Sequence, residues 1–208
     1  LAIKSAKSAQ DEWSNIPAVQ RGEILYRLCN MLEKNRHQIA KIVALETGKS
    51  LNEALGETDG AISLGRFFAG EGQRLYGRTT TSGTQNKYAS TVRQPCGVAG
   101  LIIAANTPIA NVAWKVFPAL ICGNSVVLKA AEDTPATAWI FGKIAHDCEL
   151  PKGVLNILQG FGEEAGAPIV EHNDIDVVSF TGSSSVGRWI AETVGKRLGK
   201  VSLELGGK

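Results

Sequence analysis

Apolar residues follow two rhythms along this chain, and the change between them divides it. From Pro17, a favourable first-turn residue, Val19, Leu25, Leu28, Cys29 and Leu32 recur at helical spacing. HQIAKIVALETGK repeats the pattern and reaches Gly48, a residue suited to closing a helix. The stretch LNEALGETDGAISLGRFFAGEGQRLYG predicts a further helix, weakened by its glycines. Residues 79–94, TTTSGTQNKYASTVRQ, then lose the helical period, and their second half alternates like a strand. A hairpin or pair of extended arms projecting from the body is expected there.

From residue 95 the rhythm is different. GVAGLII, NSVVLK, GVLNIL, DVVSF and VSLEL are short apolar runs, separated by four helix-like stretches, the first from Pro108 to Leu120. Continuous apolar strands of this kind are buried on both faces of a parallel sheet. The alternation predicts an α/β fold: a Rossmann-like, doubly wound parallel sheet of about five strands with right-handed crossovers, preceded by a helical segment. Three parts follow: 1–78 helical, 79–94 an arm, and 95–208 the sheet-bearing core. In such folds ligands bind beyond the carboxyl ends of the strands.

Composition narrows the function classes. The net charge is +2, from 22 basic and 20 acidic residues, and no basic run interleaves with aromatics, so no nucleic-acid partner is expected. VAGLIIAA is too short to span a bilayer, and LAIKSAKSAQDEW has no apolar core of a signal peptide. Neither a membrane nor a secretory route is therefore expected. Cys29, Cys96, Cys122 and Cys148 have no CxxC spacing, which favours a reducing cytoplasm and argues against zinc or any other metal site. All four are expected to be small thiols, buried or half-buried.

Four strand ends carry candidate chemistry. SFTGSSSVGRW, residues 179–189, leaves a strand, carries Gly182 and Gly187 and opens a helix whose free N–H groups suit a pyrophosphate; a plain tight turn fits the spacing equally. Arg188 and Trp189 stand where a Walker loop needs Lys and Ser or Thr, so an NTPase is not expected. Lys129 ends a strand and Glu132 follows, positioned either for ribose hydroxyls or simply for a helix start. Asn106 precedes Thr107 and Pro108, either as a turn residue or as an amide aimed at an oxyanion. Glu204, between Leu203 and Leu205, is either an ordinary strand-end acid or a desolvated base with a raised pKa.

Taken in order, PCGVAGLIIAANTP, GNSVVLKAAEDTP, GVLNILQGFG, SFTGSSSVG and LELGGK resemble the NAD(P)-dependent aldehyde dehydrogenase superfamily across essentially the whole chain. The resemblance implies roles for particular residues. Lys129 and Glu132 would contact the adenosine ribose, and Gly160 and Gly162 would neighbour the adenine. Thr181, Gly182 and Ser183 would meet the pyrophosphate near the nicotinamide. Asn106 would stabilise the oxyanion of a thiohemiacetal formed by a cysteine. Glu204 would be the general base that releases the acid from the resulting thioester, with Leu205 and Gly206 forming the backbone beside it. NAD is the implied cofactor, with NADP the alternative; Glu132 favours NAD because a carboxylate repels a 2′-phosphate.

In that family the nucleophilic cysteine lies a few dozen residues past the LELGGK block, so a catalytic domain with that cysteine is expected beyond these residues. The 208 residues alone are expected not to oxidise aldehydes. The family also implies a small-molecule aldehyde as substrate and a homo-oligomer, dimer or tetramer, paired through the arm. Asn111 and Trp114 fall one and two turns after Thr107 on one helix face. If that face lines the substrate tunnel, these residues suit a polar aldehyde, such as a semialdehyde. A non-catalytic dinucleotide-binding fragment is the alternative. A short-chain reductase is excluded, since Tyr26, Tyr76 and Tyr88 have no Lys four residues on.

Overall fold

The computed structural model describes residues 1–207. Four helices come first: α1 (Ala2–Asn15), α2 (Ala18–Lys34), α3 (Arg36–Thr47) and α4 (Leu51–Glu71). Helix α4 begins with a full capping box: Ser50 accepts from the Glu53 N–H while Glu53 accepts from the Ser50 N–H. One of its glycines serves packing. A Cβ at Gly65 would lie 2.6 Å from the Phe117 ring and 2.7 Å from the Cys29 sulfur, so glycine lets α4 lie close against its neighbours.

Helix α1 lies within the stretch expected to be helical but carries no aliphatic period, since its inward stripe is Ala6, Gln10 and Trp13. The amide of Gln10 does the work of a docking group. It donates to the Gly123 carbonyl at 2.9 Å and accepts from the Ser125 N–H at 2.7 Å. The Trp13 indole N–H meets the Leu120 carbonyl at 3.2 Å. These bonds pin α1 to the turn that feeds the sheet's second strand.

Next, β1 (Thr79–Thr81) and β2 (Tyr88–Ser90) pair antiparallel as a hairpin with every residue of both strands exposed. The remainder alternates: β3 (Val98–Ile102), α5 (Pro108–Ile121), β4 (Ser125–Lys129), α6 (Pro135–Asp147), β5 (Leu155–Leu158), α7 (Ala167–Glu171), β6 (Val177–Gly182), α8 (Ser184–Lys196) and β7 (Lys200–Leu205). A π-helical turn, Gly162–Gly166, leads directly into α7. The crossover between β5 and β6 is therefore two short pieces.

The five core strands are all parallel, in the spatial order β5-β4-β3-β6-β7. β3 and β4 are buried on both faces, as continuous apolar strands require, whereas β7 is exposed except at Leu203, which is half-buried. Ala99, Leu101, Val126 and Leu128 face a core shared with α2 to α6, whereas Val98, Ile102, Val127, Val178 and Phe180 face one shared with α7, α8 and the start of α1. The chain runs outward from β3 to β4 and β5, then returns to place β6 on the other side of β3. The crevice at that reversal, beyond Ile102 and Phe180, is where a doubly wound sheet opens for a ligand. No described helix is long and apolar enough to cross a membrane.

The cysteine expectation needs correcting. Cys29 and Cys148 are buried, but Cys96 and Cys122 are exposed, because each lies in a connection just before a strand rather than within a packed element.

Candidate cofactor cleft and catalytic loop

Helices α5 and α6 both begin with proline after a strand-end loop, and in neither does the residue before the proline cap the helix with its own side chain. The caps come from the N-terminal helical layer. Glu57 of α4 accepts from the N–H groups of Ile109 (3.0 Å) and Ala110 (3.2 Å). Glu46 of α3 accepts from the N–H groups of Ala136 (2.6 Å) and Thr137 (2.9 Å) and from the Thr137 hydroxyl (2.6 Å). Each carboxylate sits at the positive end of a helix and satisfies its orphan donors. The loops that would touch ligand are thus held from behind.

A cleft of about 560 Å³ opens at the carboxyl ends of β3, β4 and β6, a size that suits a small-molecule or cofactor site. On one side Lys129 and Glu132 form an ion pair at 2.5 Å. Lys129 is almost wholly buried and Glu132 about half exposed, so the ammonium fixes a carboxylate that still faces the opening. The hydrogen bond from Lys129 holds the Glu132 carboxyl below its usual range. Opposite stand Thr181, Gly182 and Ser183, leading into α8. The Ser183 side chain caps α8 through the Val186 N–H, leaving the first-turn N–H groups of Ser184 and Ser185 without intrahelical acceptors. A Cβ at Gly182 would collide with the Phe180 ring.

Gly162 lines the same cleft, but Gly160 does not. The role of Gly160 is conformational: its φ of +137° is one that side chains rarely adopt. Phe161, Val186 and Trp189 add apolar walls that sequence reasoning missed. Phe161 lay in full view inside the QGFG block, and Trp189 had served only to reject a Walker loop.

The catalytic candidates adjoin the cleft without lining it. Ala104 and Ala105 form its edge, and the next residue, Asn106, is exposed. Lys49 donates to the Asn106 backbone carbonyl at 2.7 Å and pairs with Glu57 at 2.5 Å, so the loop and the α5 cap share one clamp. Glu204 lies on the edge strand β7 in register with Thr181, and Leu205 with Gly182. Leu205 packs where a Cβ on Gly187 would collide with it, and Gly206 is exposed just beyond the strand. Glu204 is exposed on β7, the edge strand of the sheet among the described residues.

A buried cation sits nearby that sequence reasoning also missed. Lys115 of α5 is 7% exposed and donates to the Ser179 hydroxyl at 2.7 Å. Burial lowers its pKa to about 8, against a smaller upward pull from the Glu204 charge.

The structure places the two helix residues expected along the tunnel differently. Asn111 is buried, and its amide is spent on the loop Ala104–Thr107 rather than on open space. Trp114, two turns along, is 61% exposed. None of the four cysteines reaches this edge. Cys96, Cys122 and Cys148 precede β3, β4 and β5 at the amino ends of the strands, and Cys29 is buried in α2.

Comparison with known proteins gives a consistent result. The sequence profile of the aldehyde dehydrogenase family matches residues 1–208. The mitochondrial benzaldehyde dehydrogenase of Antirrhinum majus is 41% identical over the whole chain, which spans 39% of that protein. An NADP-dependent enzyme of E. coli superposes with a TM-score of 0.97 at 36% identity, covering 99% of this chain and 43% of its own. An NAD-dependent aldehyde dehydrogenase from Sinorhizobium meliloti does so with a TM-score of 0.97 at 31% identity, covering 100% of this chain and 42% of its own. The chain therefore spans about two-fifths of the length of the proteins it matches.

Proposed function

The chain belongs to the aldehyde dehydrogenase family, and from that premise we propose that it forms the cofactor-binding part of an enzyme that oxidises an aldehyde to a carboxylic acid, with NAD as hydride acceptor. The observation that carries the reading is the cleft at the sheet's reversal point. There the Lys129–Glu132 pair faces the start of α8, and the Asn106 loop adjoins it. This arrangement fits a dinucleotide: a fixed carboxylate for ribose hydroxyls, a side-chain-free turn and helix N–H groups for the pyrophosphate, and apolar walls for rings.

A bound nicotinamide would supply the hydride acceptor. The chain's own residues bind, orient and move protons around it. The Glu132 carboxylate, kept ionised by Lys129, accepts from ribose hydroxyls and repels a phosphate in the same place. The neutral amide of Asn106 donates to the oxygen that becomes negative when a nucleophile adds to the aldehyde. Glu204 accepts a proton from the water that releases the acid. The exposed hairpin, carrying Tyr88 at 87% exposure, suits pairing with a second copy.

Binding of NAD and NADP to the intact protein, with Glu132→Gln as control, tests the cofactor assignment. NAD is expected to bind about tenfold more tightly than NADP, and the variant to lose that preference. Equal binding of the two cofactors to the unaltered protein would refute the role of Glu132. Absence of saturable binding by either would refute the site.

A further inference from the structure

We infer that Asn111 is a positioning residue that sets which face of the Asn106 amide is presented to the reacting oxygen; this rests on the reading of Asn106 as the oxyanion donor. The Asn111 NH₂ group lies 3.2 Å from the Ala104 carbonyl oxygen, 3.2 Å from the Asn106 Oδ1 and 3.2 Å from the Thr107 hydroxyl. The Ala104 carbonyl can only accept, so it fixes the Asn111 side chain with nitrogen toward the loop. Asn106 must then turn its oxygen to Asn111, because the opposite orientation would set one NH₂ against another. Its own Nδ2 is left pointing away from α5, free to donate. The orientation is imposed by hydrogen bonding, not by packing alone.

The supports of this contact are themselves fixed. Asn111 is 8% exposed, one turn into α5, whose first N–H groups are held by Glu57. Lys49 holds the backbone carbonyl of Asn106 at 2.7 Å. The amide plane is thus located by a helix, and its sense by a partner on that helix. A donor directed in advance at the site of developing charge needs no reorganisation when the charge appears. An unanchored amide rotates and presents its oxygen part of the time, which repels that charge.

The decisive variant reverses the hydrogen-bond sense at unchanged size. In Asn111→Asp the partner can only accept, so Asn106 must turn its NH₂ inward and its oxygen outward. The carboxylate also faces the Ala104 carbonyl, so the fold of the variant is checked by thermal unfolding and by its Kd for NAD. In the full-length enzyme, kcat is expected to fall about 100-fold, as for Asn106→Ala. The Kd for NAD is expected to stay within twofold, since Asn111 does not line the cleft. Asn111→Leu, which leaves the amide unanchored, is expected to lose roughly tenfold, between the two extremes.

Coupling separates positioning from a purely structural role. In an Asn106→Ala background, Asn111→Asp is expected to change kcat by less than twofold. If Asn106→Ala is strongly impaired while both Asn111 variants keep full kcat, the inference is wrong and the oxyanion reading stands. A loss that persists undiminished in the Asn106→Ala background also overturns it, by showing a general structural defect. If Asn106→Ala itself is fully active, the oxyanion reading falls and this inference falls with it.

Discussion

Lys115 gives a prediction whose size follows from its surroundings. Its ammonium is buried between α5 and β6, with Ser179 as hydrogen-bond partner and Glu204 near enough to stabilise its charge partially. Burial nonetheless dominates and brings the pKa from 10.5 to about 8. The folded protein therefore binds fewer protons than the unfolded chain between those two values, so stability rises with pH across that window. Below pH 8 the ammonium is carried into the interior at a cost; above 10.5 both states hold a neutral amine and the cost is gone. A difference of 2.5 pKa units corresponds to about 3 kcal/mol, an upper bound that residual hydration reduces. Substitution by methionine removes the titrating group while keeping most of the packing. Urea unfolding of the parent and of Lys115→Met, followed from pH 7 to 10, isolates this residue because other groups cancel in the difference. The parent is expected to gain on the variant by roughly 1–3 kcal/mol over that range. A difference that stays flat would mean that Lys115 titrates like an exposed lysine, and the burial argument would fail.

Other consequences are simpler. Glu46→Ala strips three hydrogen bonds from the start of α6 and leaves its first N–H groups without a cap; a loss of about 2–3 kcal/mol in denaturant unfolding is expected, and a change under 0.5 kcal/mol would contradict the capping role. Gly182→Ala forces the Phe180 ring aside at the mouth of the cleft and is expected to weaken NAD binding at least tenfold in a calorimetric titration, whereas unchanged affinity would mean that the turn lies away from the cofactor. Cys29 and Cys148 are buried, and burial pushes the Cys29 thiol up to about 12, so neither should react with a thiol reagent at pH 8 until the protein unfolds. Rapid labelling of either in the native protein would show that the helical layer opens readily.

Local signals and distant ones differed sharply in what they disclosed. The strands could be found because runs such as NSVVLK are apolar throughout, and that pattern reflects burial on both faces. The ends of those strands then marked Lys129, Thr181 and Glu204, since each follows directly from a strand's limit. Helix α1 had no aliphatic period to mark its packing face, because that surface uses an alanine and a glutamine, and the partners of Gln10 lie over 110 residues away. Glu46, Lys49 and Glu57 were invisible for the same reason. They read as surface charges on amphipathic helices, and only the packing of α3 and α4 against α5 and α6 shows what they hold. Asn111 was legible by its helical phase but not by its partner. The phase placed it one turn after Thr107, while the direction of its amide depends on where the Ala104 carbonyl points. Glu204 is exposed although leucines flank it, because neighbours in sequence alternate to opposite faces of a strand and do not by themselves desolvate the residue between them.

The account stands or falls on what occupies the cleft at the sheet's reversal point. A crystal structure of the intact protein grown with NAD tests this most directly. The ribose hydroxyls of the adenosine are predicted on the Glu132 carboxylate, beside Lys129, and the pyrophosphate on the backbone of Gly182 to Ser185. Cofactor bound elsewhere, or a cleft left empty at saturating NAD, would contradict the assignment.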